Sequence, residues 1–219
     1  MSKDIREIIT DIDLLGKRCD EIDVMHQGSL VREITKAIKD TMRAKNLKSL
    51  SAPAIGYDKR IFCMNFSDLE IKTFINPIIT QAEGIQLSRE TCQCIPGKEF
   101  IRPRNPKIKI IYQNPTGKIL STEFLGLSAV VFQHELDHLD GLLLPDVGFE
   151  IDEQWDAATD EERQEVIESY LDSLDLKQKE LEKEIAEDPM LKKTSDAIDF
   201  MVKVQRGEVK LEPVQEEKK

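Results

Sequence analysis

The sequence predicts an α+β protein, with antiparallel strands packed around a central helix and an acidic α-helical extension at the C-terminus. Three observations predict it. Runs of β-branched and aromatic residues alternate with turn residues through the middle of the chain. Stretches with apolar residues at helical spacing lie on either side of that middle, and the charge balance changes near Glu150.

From Ser29 to Lys45, Leu30, Ile34, Ile38 and Met42 recur every four positions and define one helical face, with Ser29 as the expected N-cap. Strands are expected over Arg60–Phe66, Ile71–Ile79, Lys107–Gln113 and Lys118–Phe124, the last two joined by a hairpin at Asn114-Pro-Thr-Gly117. The period turns helical again near Gly126 and runs to Leu139, with Gly141 placed to end the helix.

Residues 1–149 carry 20 acidic and 20 basic side chains, whereas residues 150–219 carry 22 and 11, so the whole net charge of -11 lies in the last part. Two domains are therefore expected, a compact one over 1–150 and an acidic helical extension over 151–219. In the extension Ile167, Leu171, Leu174, Leu181 and Ile185 follow a 4-3 spacing with Gln178 in the seam, and Pro189 should end that helix. A second amphipathic helix is expected from Met190 to Val204, and a disordered end over EPVQEEKK. Residues 160–205 could thus pack on themselves, on a second copy or on a protein partner. An excess of acid excludes bare nucleic acid and anionic membrane as partners. The chain has no apolar run of membrane-spanning length, and its N-terminus (MSKDIREIIT) lacks the apolar core of a signal peptide, which points to the cytoplasm. In that reducing setting Cys19, Cys63, Cys92 and Cys94 are expected as free thiols or metal ligands, Cys19 and Cys63 as small core residues.

The chemistry concentrates in Gln133-His134-Glu135-Leu136-Asp137-His138. On a helix, His134 and His138 share a face and can hold one cation, with Glu135 beside it. A catalytic metal needs a third protein ligand and an open position. His26 is the remaining histidine; Cys92 and Cys94 offer better chemistry, and spacing alone does not choose between them.

These segments resemble the peptide deformylase family, which carries G-x-G-L-A-A-x-Q, E-G-C-L-S and Q-H-E-x-D-H-L-x-G in that order. The third motif is complete as Gln133 to Gly141. The second is Glu90-Thr91-Cys92-Gln93-Cys94, followed by Ile-Pro. The first survives in outline as Leu47 to Ala54, and Asn76-Pro77 sits where the family commonly has that pair. The resemblance spans about residues 4–150 and implies one divalent metal on Cys92, His134 and His138. In the family this is commonly Fe²⁺ in the cell, replaceable by Zn²⁺, Ni²⁺ or Co²⁺. It further implies that the metal acidifies a water, that Glu135 shuttles the proton, and that the backbone N–H of Gln93 stabilises the oxyanion as formate leaves a formylated nascent peptide. Glu90 and Asp137 are implied as supporting groups, and Val130 and Val131 as walls of the methionine side-chain pocket. Family members lay the substrate as an extra strand between the first two motifs, which here places Ser49, Leu50, Ala54 and Thr91 beside it.

The departures cluster in that cleft. Ala54 replaces a glutamine that helps stabilise the oxyanion, and the loss of one such donor typically removes ~10²–10³ in rate. Ser49 and Thr91 replace glycines, adding a Cβ on each side. Gln93 replaces leucine, and its side-chain amide is one candidate to fill the space that Ala54 leaves. The leading expectation is a metal-dependent deformylase. The competing one is a weak or inactive deformylase-like binding module in a larger assembly such as a phage particle.

Overall fold

The computed structural model describes residues 3–67, 70–152, 155 and 157–172. The chain divides into two units, residues 1–157 and 158–219. Within the second, residues 160–172 are helical, which takes in Ile167 and Leu171. The remaining seam positions, the Met190–Val204 helix and the EPVQEEKK end lie outside the described residues.

The first unit opens with a short helix, α1 (Ile12–Leu15), and then α2 (Gly28–Lys45). Helix α2 begins at Gly28 with Gln27 at the cap position and no side-chain capping bond, so the expected Ser29 cap is corrected. Ser29 already lies inside the first turn. The expected apolar face is present: Ile34, Ile38 and Met42 are buried, joined by Val31 and Ala37. Asn46 ends the helix in the left-handed conformation that asparagine tolerates better than most residues.

Among the described residues, eight strands form two antiparallel sheets. β1 (Ser49–Ser51), β2 (Ile61–Ser67), β3 (Glu70–Glu83), β6 (Lys107–Gln113) and β7 (Ile119–Leu125) form the larger, in the order β1-β2-β3-β6-β7. β4 (Gln86–Cys92), β5 (Ile95–Arg104) and β8 (Phe149–Glu150) form the smaller, in the order β4-β5-β8. The expected strands are all present, and the Asn114–Gly117 hairpin closes with Gly117 at φ 81° and the Asn114 carboxamide accepting from Thr116 and Lys118 N–H. Asn76, at φ 47°, explains the bulge in β3. Its side chain bonds both backbone polar groups of Ile22 and the Gln113 amide, which offsets the unusual backbone.

Helix α3 (Leu127–Asp140) packs against β1, β2 and β7 of the larger sheet and β5 of the smaller. Its inner side meets Phe62 and Phe74, which surround Phe132 with ring centroids 5.1 and 5.5 Å away. Such aromatic packing fixes the helix rotation about its own axis, and with it the side chains that face the cleft. Gly141 ends α3 at φ 72°, and a Cβ there would fall 2.7 Å from the Lys17 backbone, so only glycine fits. The short helix α4 (Leu144–Val147) then leads into β8. Cys19 and Cys63 are buried free thiols in the two apolar clusters, as expected of core residues.

Candidate metal centre and cleft

His134 and His138 stand one turn apart on α3 with ring centroids 5.2 Å apart. Cys92 ends β4, and its Sγ lies 3.2 Å from His138 Nε2. One ligand atom from each of Cys92, His134 and His138 falls within 4.8 Å of the others; among the described residues this is the group of three that could hold a metal ion. Cys94 is buried and contributes no atom to that group, and His26 is exposed, its Nδ1 bound to Asp23 at 2.6 Å.

His134 is braced from behind. Glu90, 7% exposed, accepts from His134 Nδ1 at 2.9 Å and from Arg104 through two bonds of 2.7 and 2.8 Å. Burial opposes the charge on Glu90, but the Arg104 and His134 hydrogen bonds outweigh it and hold its carboxyl down at about 2. An ionised carboxylate only accepts, so His134 Nδ1 carries the proton and Nε2 is left as the ligating nitrogen. Arg104 reaches on to Asp137 at 2.6 Å, and Arg102 also donates to Asp137. Gln133 bridges α3 to Asn105 in both directions, at 2.9 and 3.1 Å. The expected supporting role of Glu90 and Asp137 thus takes the form of one buried chain of charges, anchored on an arginine that sequence reading missed.

The electrostatics favour a thiolate at the cluster. A hydrogen bond from Cys94 pulls the Cys92 thiol far below its ordinary value; burial opposes this, and the two histidines reinforce it. Burial lowers the pKa of His134, but hydrogen bonds to Cys92 and Glu90 outweigh it and lift that imidazole to about 10. The proton held there occupies lone pairs that a cation would take instead. His138 Nδ1 and Glu135 Oε2 are both buried without a partner. A thiolate with two imidazoles is a donor set for a borderline divalent metal, and the residues present fit such an ion.

Above the cluster lies a cavity of about 370 Å³. Ser49, Leu50, Ala54, Thr91, Gln93, Val130 and Val131 all line it, together with Ser51 and Glu135. Strands β1 and β4 form two of its walls. Each is the last strand of its sheet and so leaves one edge without a strand neighbour among the described residues. Gln93 is exposed at the rim, whereas Ala54 is 1% exposed.

A profile of the polypeptide deformylase family matches residues 5–152. The chain belongs to that family. It is 34% identical over 131 residues to a peptide deformylase of Dictyoglomus thermophilum, covering 60% of this chain and 82% of that protein. With one from Thermodesulfovibrio yellowstonii the identity is 36% over 138 residues, covering 61% and 82%. The crystal structure of the Thermotoga maritima peptide deformylase superposes with a TM-score of 0.60 at 30% identity, covering 65% of this chain and 97% of that one. The α+β fold is therefore that of a deformylase, a metal-dependent hydrolase.

Proposed function

We propose that this deformylase removes the formyl group from the N-terminus of nascent formyl-methionyl polypeptides, using Cys92, His134 and His138 to hold one metal ion and Glu135 to move the proton. The observation that carries this reading is Glu135, which lines the same cavity as the three candidate ligand side chains and whose buried carboxylate has an oxygen, Oε2, without a partner. A site that merely held a metal would have no use for such a group; a hydrolase needs a base.

Bound there, the divalent ion supplies Lewis acidity. The soft donor set favours Fe²⁺ in the cell, with Zn²⁺ or Ni²⁺ as substitutes. Glu135 takes a proton from the attacking water and returns it to the amine nitrogen as the C–N bond breaks, giving formate and a free N-terminus. The Gln93 backbone N–H donates to the carbonyl oxygen as it gains charge. Val130 and Val131 receive the methionine side chain. The peptide backbone runs as an added strand between β1 and β4, touching Ser49, Leu50 and Thr91. Ala54 lies in the wall without offering a donor. The setting is the cytoplasm, and residues 160–205 of the acidic extension, 151–219, take a protein partner or a second copy.

Formate release from formyl-Met-Ala-Ser, measured on protein loaded with Fe²⁺ or Ni²⁺ without oxygen, tests the reading. Turnover that a chelator abolishes is expected. Absence of turnover with one metal bound per chain would favour the binding-module reading instead.

A further inference from the structure

We propose that Cys92 and Cys94 form a reversible thiol–disulfide pair: a peroxide oxidises the metal-free site to a Cys92–Cys94 disulfide, and a thiol reductant reopens it. The inference rests on Cys92 as a metal ligand, assigned above, and goes beyond the reaction proposed there. Of the four cysteines, these two line the cavity. Cys94 has no part in the metal group and none in the proposed reaction, yet its side chain hydrogen-bonds the Cys92 thiol. Cys63 Sγ meets Thr73 Oγ1 at 3.5 Å instead, and Cys19 sits in the apolar cluster that contains Phe132.

The turn brings the two sulfurs together. Cys92 pairs with Ile95 across the β4–β5 ladder, so Gln93 and Cys94 are the two residues of a tight loop. Two Cα–Cα steps of ~3.8 Å, folded by that loop, place the Cα atoms within the ~4.4–6.8 Å that a disulfide spans. Gln93 is exposed, whereas Cys92 and Cys94 are 6% and 3% exposed, so both cysteines turn inward and the residue between them turns out. Access from outside is needed at one sulfur alone. Cys92 must be reached by a metal ion, and the path that admits an ion admits a peroxide.

The Cys92 thiolate attacks one peroxide oxygen as the O–O bond breaks, giving a sulfenic acid; the other oxygen leaves as hydroxide and takes up a proton to become water. The Cys94 sulfur then attacks the Cys92 sulfur. The S–S bond forms, the S–O bond breaks, and the Cys94 proton leaves with that oxygen as a second water. In sum the two thiols lose two electrons and two protons, and the peroxide gains them. A neighbouring thiol thus traps the sulfenic acid before more peroxide carries it to the irreversible sulfinic and sulfonic acids. A disulfide closing so small a ring is strained, and strained disulfides are the readily reduced ones. The Cys92 sulfur serves either a metal or Cys94, so occupancy and oxidation exclude one another.

Trypsin cuts after Arg89 and Lys98, and the Glu90–Lys98 peptide contains both of these cysteines and no other. Reduced, metal-free protein treated with a several-fold excess of hydrogen peroxide should yield this peptide lighter by two hydrogen atoms. Its Ni²⁺ affinity, read by calorimetry, should fall by more than about 10²-fold, and dithiothreitol should restore both mass and affinity. Cys94→Ser puts the serine of the family motif in place and should bind Ni²⁺ when reduced. After peroxide its peptide should gain two or three oxygen atoms, and dithiothreitol should not restore binding. A wild-type peptide that gains oxygen without losing hydrogen would overturn the proposal, as would equal recovery of wild type and Cys94→Ser. The wild-type peptide mass decides the matter even if Cys94→Ser does not fold. None of these readouts uses formate release. Protein that forms the disulfide but releases no formate fails the deformylase reading alone, and active protein that forms no disulfide fails this one alone.

Discussion

The floor and the wall of the cleft are built on different plans. On the floor, His134 is braced by a chain of charges, His134 by Glu90, Glu90 by Arg104, and Arg104 by Asp137, all through bonds of 2.6–2.9 Å. On the wall, Ala54 offers no donor, Gln93 is exposed, and Ser51 carries a hydroxyl with no partner. A side chain that is to hold a metal must be oriented before any ion or substrate arrives, and for His134 the partner that does so is present in the protein itself. Groups that act on a transition state meet their partner only during reaction, and a structure of the protein alone leaves them unpaired. Redundant bracing makes the floor intolerant of change, whereas the wall can redistribute its donors.

The largest expected effect falls on the floor. Cys92→Ala removes the one thiolate of the group, and elemental analysis should find the protein without stoichiometric metal and without formate release. Next comes Arg104→Met, which leaves Glu90 buried with only His134 to donate to it. Denaturant unfolding should show a loss of about 3–5 kcal/mol, and metal affinity should fall by about 10–100-fold. If metal affinity survived with Arg104 gone, bracing would not be what separates the two regions.

Predictions for the wall are smaller and sharpen the comparison. Ala54→Gln restores an amide donor and should raise kcat by about tenfold or more, read from formate release at matched metal content. Gln93→Leu should change turnover by no more than about twofold, as for an exposed side chain, because the backbone N–H is retained. A large loss would give the Gln93 side-chain amide the donor role that Ala54 lacks.

The division also governed what could be read from the sequence. The i, i+4 spacing of His134 and His138, and the alternating Ile-rich runs of β3 and β6, are local patterns, and local patterns are legible. β4 and β5 were not, because Arg89, Glu90, Lys98, Glu99, Arg102 and Arg104 together with Pro96, Gly97 and Pro103 read as a polar loop. Two of these charges, Glu90 and Arg104, are buried because they pair with each other across the sheet, fourteen positions apart. Such a partnership has no signature in either residue's neighbours. Choosing Cys92 over Cys94 likewise needed more than spacing, since both are buried and only the turn between β4 and β5 decides which sulfur joins the histidines. The missed start of α2 at Gly28 has a simpler reason: a serine near a helix start suggests a cap even when the chain begins turning one residue earlier.

The central claim is that Glu135 is the base of a working hydrolase on a braced metal site. Its most direct test is to prepare wild type and Glu135→Gln side by side with Ni²⁺ and measure both bound metal and formate released from formyl-Met-Ala-Ser. The account predicts equal metal in the two proteins and a rate at least about 10²-fold lower in Glu135→Gln. Equal rates at equal metal content would contradict it.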